Sequence, residues 1–228
     1  MSYVPAYGAG IVAHFHAPDA VLVEYDLSEH TALLDAAVAS LRGAGVAWTL
    51  RPTFPSPFVP GTTAQMHRNM LLMSPAELLA ERDIGYDFSG LRMPAQACTP
   101  EVQAVMDLVN RQFAHGDAPF DRVLVNEYES TADTISQHSD KGTVGDIVGI
   151  AVGARRIFRL SRTVGGRSET LADVVSQPYR ALVMEGAGFQ RQLKHGVPKL
   201  KACEDGPRWS FTFRRHVEPK KRGEKRAR

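Results

Sequence analysis

Apolar and polar positions alternate strictly in Arg208-Trp-Ser-Phe-Thr-Phe-Arg214. Period two puts Arg208, Ser210, Thr212 and Arg214 on one face of an extended strand, and Trp209, Phe211 and Phe213 on the other. One face is polar and cationic; the other is core. The same alternation in Arg122-Val-Leu-Val-Asn-Glu-Tyr128 brings Asn126 and Tyr128 to one face. Short strands are expected over 122–129, 134–139, 146–152, 155–160, 180–185, 189–195 and 208–216, with Val164-Gly-Gly-Arg167 as a hairpin-like turn. A succession of short strands joined by Gly-rich turns predicts a sandwich or barrel.

The N-terminal half is less regular. Ile11-Val-Ala-His-Phe15 and Val21-Leu-Val-Glu-Tyr25 read as strands or as packing for the helix that follows. Ser28 is placed to cap that helix, Leu33, Leu34, Ala37, Val38 and Leu41 recur at helical spacing, and Gly43 ends it. Val46 to Arg51 reads as a strand, the prolines of 52–64 as a loop over one rim, and Gln65 to Met73 as another strand. Ser74-Pro-Ala-Glu77 has the form of a capping box, which predicts a short helix to about Arg82. Tyr86 and Phe88 share a face. Thr99-Pro-Glu caps the strongest helix, with Val102, Val105, Met106, Val109 and Phe113 on its apolar side and Gly116 past its end; it is expected to brace the barrel from outside.

Composition changes this picture little. Of 228 residues, 43% are hydrophobic and 23% charged, which is ordinary for one globular domain with a substantial core. No apolar run reaches membrane-spanning length and no leader-like segment opens the chain, so a soluble, intracellular, monomeric protein is expected, cytoplasmic or nuclear. Cys98 and Cys203 have neither metal-ligand spacing nor the density of a disulfide framework. Charge is uneven: residues 214–228 hold eight Lys or Arg against Glu218 and Glu224, a net of +6 in a chain that totals +2. The stretch 217–228 is expected to be a disordered basic tail, or an arm for phosphates.

Candidate chemistry lies between the alternating strands. His138 and Asp140 are two apart, so in an extended segment an imidazole and a carboxylate leave the same face. His195 in Leu-Lys-His-Gly-Val-Pro supplies a second imidazole. Two histidines and one carboxylate make the facial triad that holds non-haem Fe(II) and leaves coordination positions open. Arg, Tyr, Asn and Ser donors beside such an ion suit a small dicarboxylate, because a guanidinium pairs with a carboxylate bidentately. Arg208 and Arg214 are roughly 20 Å apart along an ideal strand, so they can meet one small ligand only by leaning inward from its two ends.

Asn126-x-Tyr128, His138-x-Asp140, His195 and Arg208 with five residues before Arg214, together with Tyr86-Asp-Phe-Ser89 and Val183-Met-Glu-Gly186, resemble the AlkB family of Fe(II)/2-oxoglutarate dioxygenases over residues 66 to 214. The resemblance implies a mainly β fold with flanking helices: a double-stranded β-helix, or jelly-roll, barrel over about 120–216, with an N-terminal nucleotide-recognition lid over about 66–90. It implies iron on His138, Asp140 and His195, with O2 as oxidant. It also implies 2-oxoglutarate on Arg208 and Tyr128 at its far carboxylate, on Arg214 and Asn126 near the metal, and on Ser210. Arg68, Tyr86, Phe88 and Ser89 are its implied substrate contacts, gripping a flipped or single-stranded base of DNA or RNA. The implied reaction is oxidative demethylation of an N-alkylated base such as N1-methyladenine or N3-methylcytosine. Two departures stand out: Ser210 where several members have Asn, and Gly142 where many base-repairing members have an acid. Other readings are a hydroxylase of a protein side chain or small molecule, and a non-catalytic jelly roll that binds nucleic acid.

Overall fold

The computed structural model describes residues 10–43, 45–56, 59–88, 91–115, 117–140, 143–199 and 205–215. Ser89, Gly116, Gly142, Cys203 and the basic stretch 217–228 lie outside the described residues. The N-terminal half contains β1 (Ile11–Ala17), β2 (Ala20–Asp26), α1 (Thr31–Ser40), β3 (Thr53–Pro55), β4 (Thr63–Gln65), β5 (Asn69–Ser74), α2 (Ala76–Glu81), β6 (Gly85–Phe88), β7 (Leu91–Pro94), β8 (Gln96–Ala97) and α3 (Pro100–Phe113). The remainder is β9 (Arg122–Tyr128), β10 (Ile135–His138), β11 (Ile147–Gly153), β12 (Arg156–Val164), β13 (Arg167–Ser176), β14 (Arg180–Glu185), α4 (Phe189–Gln192), β15 (Leu193–Val197) and β16 (Arg208–Arg214).

Two sheets carry the fold. The larger has the order β1-β2-β14-β11-β16-β9-β5-β8 and the smaller β10-β15-β12-β13. Alternation decides what each side of the larger sheet touches. Val123, Val125, Val148, Ile150, Ala181, Val183, Trp209, Phe211 and Phe213 leave one face and pack with Leu34, Ala37 and Val38 of α1 and with the apolar side of α3. Leu22, Ile147, Leu182 and Met184 leave the other face and meet Leu160, Val174 and Leu193 of the smaller sheet. The result is a jelly-roll sandwich with helices on one outer surface and, between its sheets, an apolar cluster at one end and a polar pocket at the other.

α3 forms as its sequence dictates. The Thr99 hydroxyl accepts the Val102 amide at 3.2 Å, Pro100 occupies the first turn, and Val102, Val105, Met106, Val109 and Phe113 are all buried. Cys98, just before it, is held against the core, and burial pushes its thiol up to about 12.

Elsewhere the structure departs from the sequence expectations. Ser28 does not cap α1: it begins a 3-10 turn, and its amide is taken by the Asp26 carboxylate. Ser74 does not cap α2, because its hydroxyl donates to the Asp121 carbonyl at 2.6 Å. Residues 46–51 form no strand, only a bridge from Thr49 to Met70; the Ala47 amide and the Trp48 indole are satisfied by Gln96 Oε1 and the Leu41 carbonyl instead. The Pro-rich loop contains the hairpin β3–β4. Residues 66–90 are not one lid, because β5 is buried throughout and pairs with β9 inside the larger sheet. The expected strand 189–195 opens with α4 and becomes extended only at Leu193. β13 was not among the expected strands, although the hairpin-like turn Val164–Arg167 that opens it forms as expected.

Candidate metal centre and pocket

β10 and β15 pair so that Ile135 faces Val197 and His138 faces His195. Three residues on β10 thus span two on β15, a bulge. Without the extra residue Ile135 and His138 would point to opposite faces; with it both line the pocket, along with His195 and Val197. Gly196 allows the close approach, since a Cβ there would lie 2.7 Å from the Ile135 carbonyl oxygen. The two imidazole centroids are 4.4 Å apart, and Phe158 stacks on His195.

Asp140 completes the cluster. Its Oδ1 lies 3.6 Å from His138 Nε2 and its Oδ2 3.6 Å from His195 Nε2, and the three ligand atoms fall within 4.8 Å of one another. Its backbone is pinned: the amide donates to Gln190 Oε1 at 2.8 Å, and the carbonyl accepts Thr143 Oγ1 at 2.9 Å. His138 Nδ1 sits 2.9 Å from the Ser136 carbonyl oxygen, which fixes the proton there and leaves Nε2 as a lone-pair donor towards the carboxylate.

Charge states suit a cation. Burial works to raise the Asp140 carboxyl, but Arg214, at 2.8 Å, and then the two imidazoles outweigh it and hold it down to about 2. Burial, reinforced by His138 and Arg214, lowers His195 to about 3. The trio is therefore one ionised carboxylate and two neutral imidazoles at pH 7, and Asp140 Oδ2 is buried with no hydrogen-bond partner. A buried anionic oxygen left unpaired is costly, and a divalent metal ion would satisfy it.

The polar face of β16 lines the same pocket with Arg208, Ser210, Thr212 and Arg214. Ser210 lies opposite Asn126 and Arg208 opposite Tyr128 on β9, so all four side chains leave one side of the sheet. Arg208 sits over the Tyr128 ring at 5.1 Å and donates through Nη2 to Ser176 Oγ at 3.2 Å. Its Nε and Nη1 are buried without partners. Arg68 is also buried on the pocket wall, donating from Nε to Asn126 Oδ1 at 2.7 Å. Three guanidinium groups against one carboxylate make a receptor for a dianion.

Tyr86 reaches this pocket and stacks with Phe88 at 5.3 Å. Phe88 itself packs against Met70, Leu72, Met93 and Leu124 and does not line the pocket. Sequence reasoning missed Phe158 and Ser176. Ser176 ends β13, whose presence was encoded in mirrored charges about Gly165-Gly166: Arg162 pairs with Glu169 and Arg159 with Asp173.

The family model of the 2OG-Fe(II) oxygenase superfamily matches residues 50–214. No curated protein matches the chain in sequence. Among solved structures, OsALKBH1 superposes with a TM-score of 0.51 at 17% identity, over 88% of this chain and 100% of that one, which shows a shared fold. An oxidoreductase of the 2OG-Fe(II) oxygenase family from Burkholderia pseudomallei superposes with a TM-score of 0.45 at 16% identity, over 85% and 84% of the two chains. No helix among the described residues is long and apolar enough to cross a membrane.

Proposed function

From the membership of this chain in the 2OG-Fe(II) oxygenase superfamily, which makes it an Fe(II)- and 2-oxoglutarate-dependent dioxygenase, we propose that it removes an alkyl group from an N-alkylated base of nucleic acid. The observation that carries the substrate class is the aromatic pair Tyr86–Phe88, whose tyrosine lines the pocket that holds His138 and His195. A base lifted out of its stack needs an aromatic neighbour within reach of the reacting centre.

Roles follow from position. His138, Asp140 and His195 would hold Fe(II). Arg208, with Tyr128 beside it, takes the far carboxylate of 2-oxoglutarate, replacing the missing partners of Nε and Nη1. Arg214 takes the near end while holding Asp140 ionised, and Asn126 and Ser210 border the chain between them. Leu182, Met184, Ile135 and Val197 keep water from the rest of the cavity. Bound Fe(II) with 2-oxoglutarate supplies O2 activation, the chemistry no side chain here provides. The overall change would be N–CH3 to N–H on the base, with O2 and 2-oxoglutarate consumed and formaldehyde, succinate and CO2 released.

The test is anaerobic loading with Fe(II) and 2-oxoglutarate, then air and single-stranded DNA or RNA oligonucleotides carrying N-methylated bases, with formaldehyde and intact mass as readouts. Loss of one methylene, dependent on both additions and absent in His138→Ala, is the expected result. Succinate formed while every oligonucleotide keeps its methyl group would overturn the nucleic-acid reading and leave the dioxygenase.

A further inference from the structure

Once Arg208 and Arg214 are assigned to the two carboxylates of the co-substrate, one guanidinium in the pocket is left over. Arg68 is 7% exposed, and its hydrogen bond goes to the neutral Asn126 amide, not to a carboxylate. The residues lining the pocket include no Asp or Glu. Asp140, behind the lining, is committed to Arg214 and to the imidazoles. The sequence after it, Lys141-Gly-Thr-Val-Gly145, has no acid before Asp146, whose carboxylate accepts the Gly186 amide.

Three guanidinium groups on the lining and the Asp140 carboxylate paired with Arg214 leave the site at +2. A divalent metal ion and a dianionic co-substrate cancel one another, so the loaded pocket still carries +2 when the substrate arrives. Guanidinium has donors only and no acceptor. A cationic base brings a like charge into a low-dielectric site, and its exocyclic amino group sets donor against donor. A carbonyl at the same ring position supplies the acceptor that Arg68 lacks. An uncompensated buried charge is also a device for rejecting the wrong ligand.

Resting on the nucleic-acid reading above, we infer that the base admitted here is neutral and presents a carbonyl oxygen beside the alkylated nitrogen, as N3-methyluracil does, and that Arg68 selects it over cationic bases such as N3-methylcytosine and N1-methyladenine. N3-methyluracil and N3-methylcytosine are a matched pair: same ring, same methyl position, with oxygen or a charged amino system at C4.

The experiment presents both bases in one single-stranded sequence to the Fe(II)/2-oxoglutarate enzyme and measures kcat/KM for each. It also measures binding to the Mn(II)/N-oxalylglycine-loaded protein, with melting temperature and 2-oxoglutarate affinity as controls. The wild type is expected to favour N3-methyluracil at least tenfold in both readouts. Arg68→Gln should erase that ratio, and Arg68→Lys, which keeps charge and donors, should retain most of it. Equal or better use of N3-methylcytosine by the wild type overturns the inference alone, as does a ratio unchanged in Arg68→Gln. Loss of 2-oxoglutarate affinity in Arg68→Gln would reassign Arg68 to the co-substrate and likewise overturn it. Neither base bound nor demethylated would overturn the nucleic-acid reading and the inference together.

Discussion

Burial keeps His195 from taking a proton and leaves two nitrogens of Arg208 without partners. An unfolded histidine titrates near pH 6.5, whereas burial, then His138 and Arg214, bring His195 down to about 3. Between those values the unfolded chain binds a proton that the folded chain refuses, so stability falls as pH drops through 6.5 towards 3. His138, lowered chiefly by burial, adds to the same slope, and Asp140 adds below its ordinary 3.8 down to about 2. The melting temperature of the metal-free protein should therefore fall steadily from pH 7 to pH 4, and His195→Gln should flatten the curve; parallel curves would refute this account. Arg208 gives a second prediction. Two of its nitrogens are buried without partners, at about 1–3 kcal/mol for an unsatisfied group. Arg208→Met should stabilise the ligand-free protein by an amount of that order. The same change should raise KM for 2-oxoglutarate roughly ten- to hundredfold, the loss of about 1.5–3 kcal/mol from a charged hydrogen bond. Thermal melts and steady-state kinetics on one preparation check the opposite signs.

At the scale of the element, Gly196 tests how the bulge assembles the candidate metal centre. Gly196→Ala would force its new Cβ away from the Ile135 carbonyl and spread β10 from β15, at a cost of about 1–3 kcal/mol for overpacking. Fe(II) affinity should fall by more than tenfold while the far-UV spectrum is kept; unchanged metal affinity would show that the pairing tolerates the spread. The bulge was not legible in the sequence, although its product, two imidazoles on one face, was sought there. β9 and β16 were legible because each has one wall in the core and one in the pocket, so strict alternation survives. α3 was legible because its cap, its first-turn proline and its apolar stripe agree. Ser28 misled because the Asp26 carboxylate takes its backbone amide at the start of a 3-10 turn, and Ser74 because its hydroxyl goes to the distant Asp121 carbonyl instead of the helix start. β13 escaped because much of it is solvent-exposed, so no burial imprinted a period; the Gly165-Gly166 turn and its charge pairing with β12 were what announced it. The metal trio and the two β16 arginines were readable as residue types at spacings, whereas Ser176 and Phe158 enter the pocket from strands whose pairing only the fold supplies.

Across the whole molecule, the pocket lies where two sheets meet, and they differ in how firmly they are held. β16 is bonded along its length to β11 on one side and β9 on the other, with its aromatic face packed beneath α1 and α3. β10, by contrast, pairs with β15 alone among the described residues and contributes His138 from its end. The two arginines proposed to receive the dicarboxylate thus project from a strand that is paired on both sides and packed on its apolar face. A receptor already in its bound shape exacts no toll for populating a rare conformer. Capture of 2-oxoglutarate by the metal-loaded enzyme should accordingly be a single exponential in stopped-flow absorbance, its rate rising linearly with concentration and showing no plateau. A saturating rate would mean that the site opens and closes before it binds. On this view capture of the co-substrate does not set the timing of the catalytic cycle.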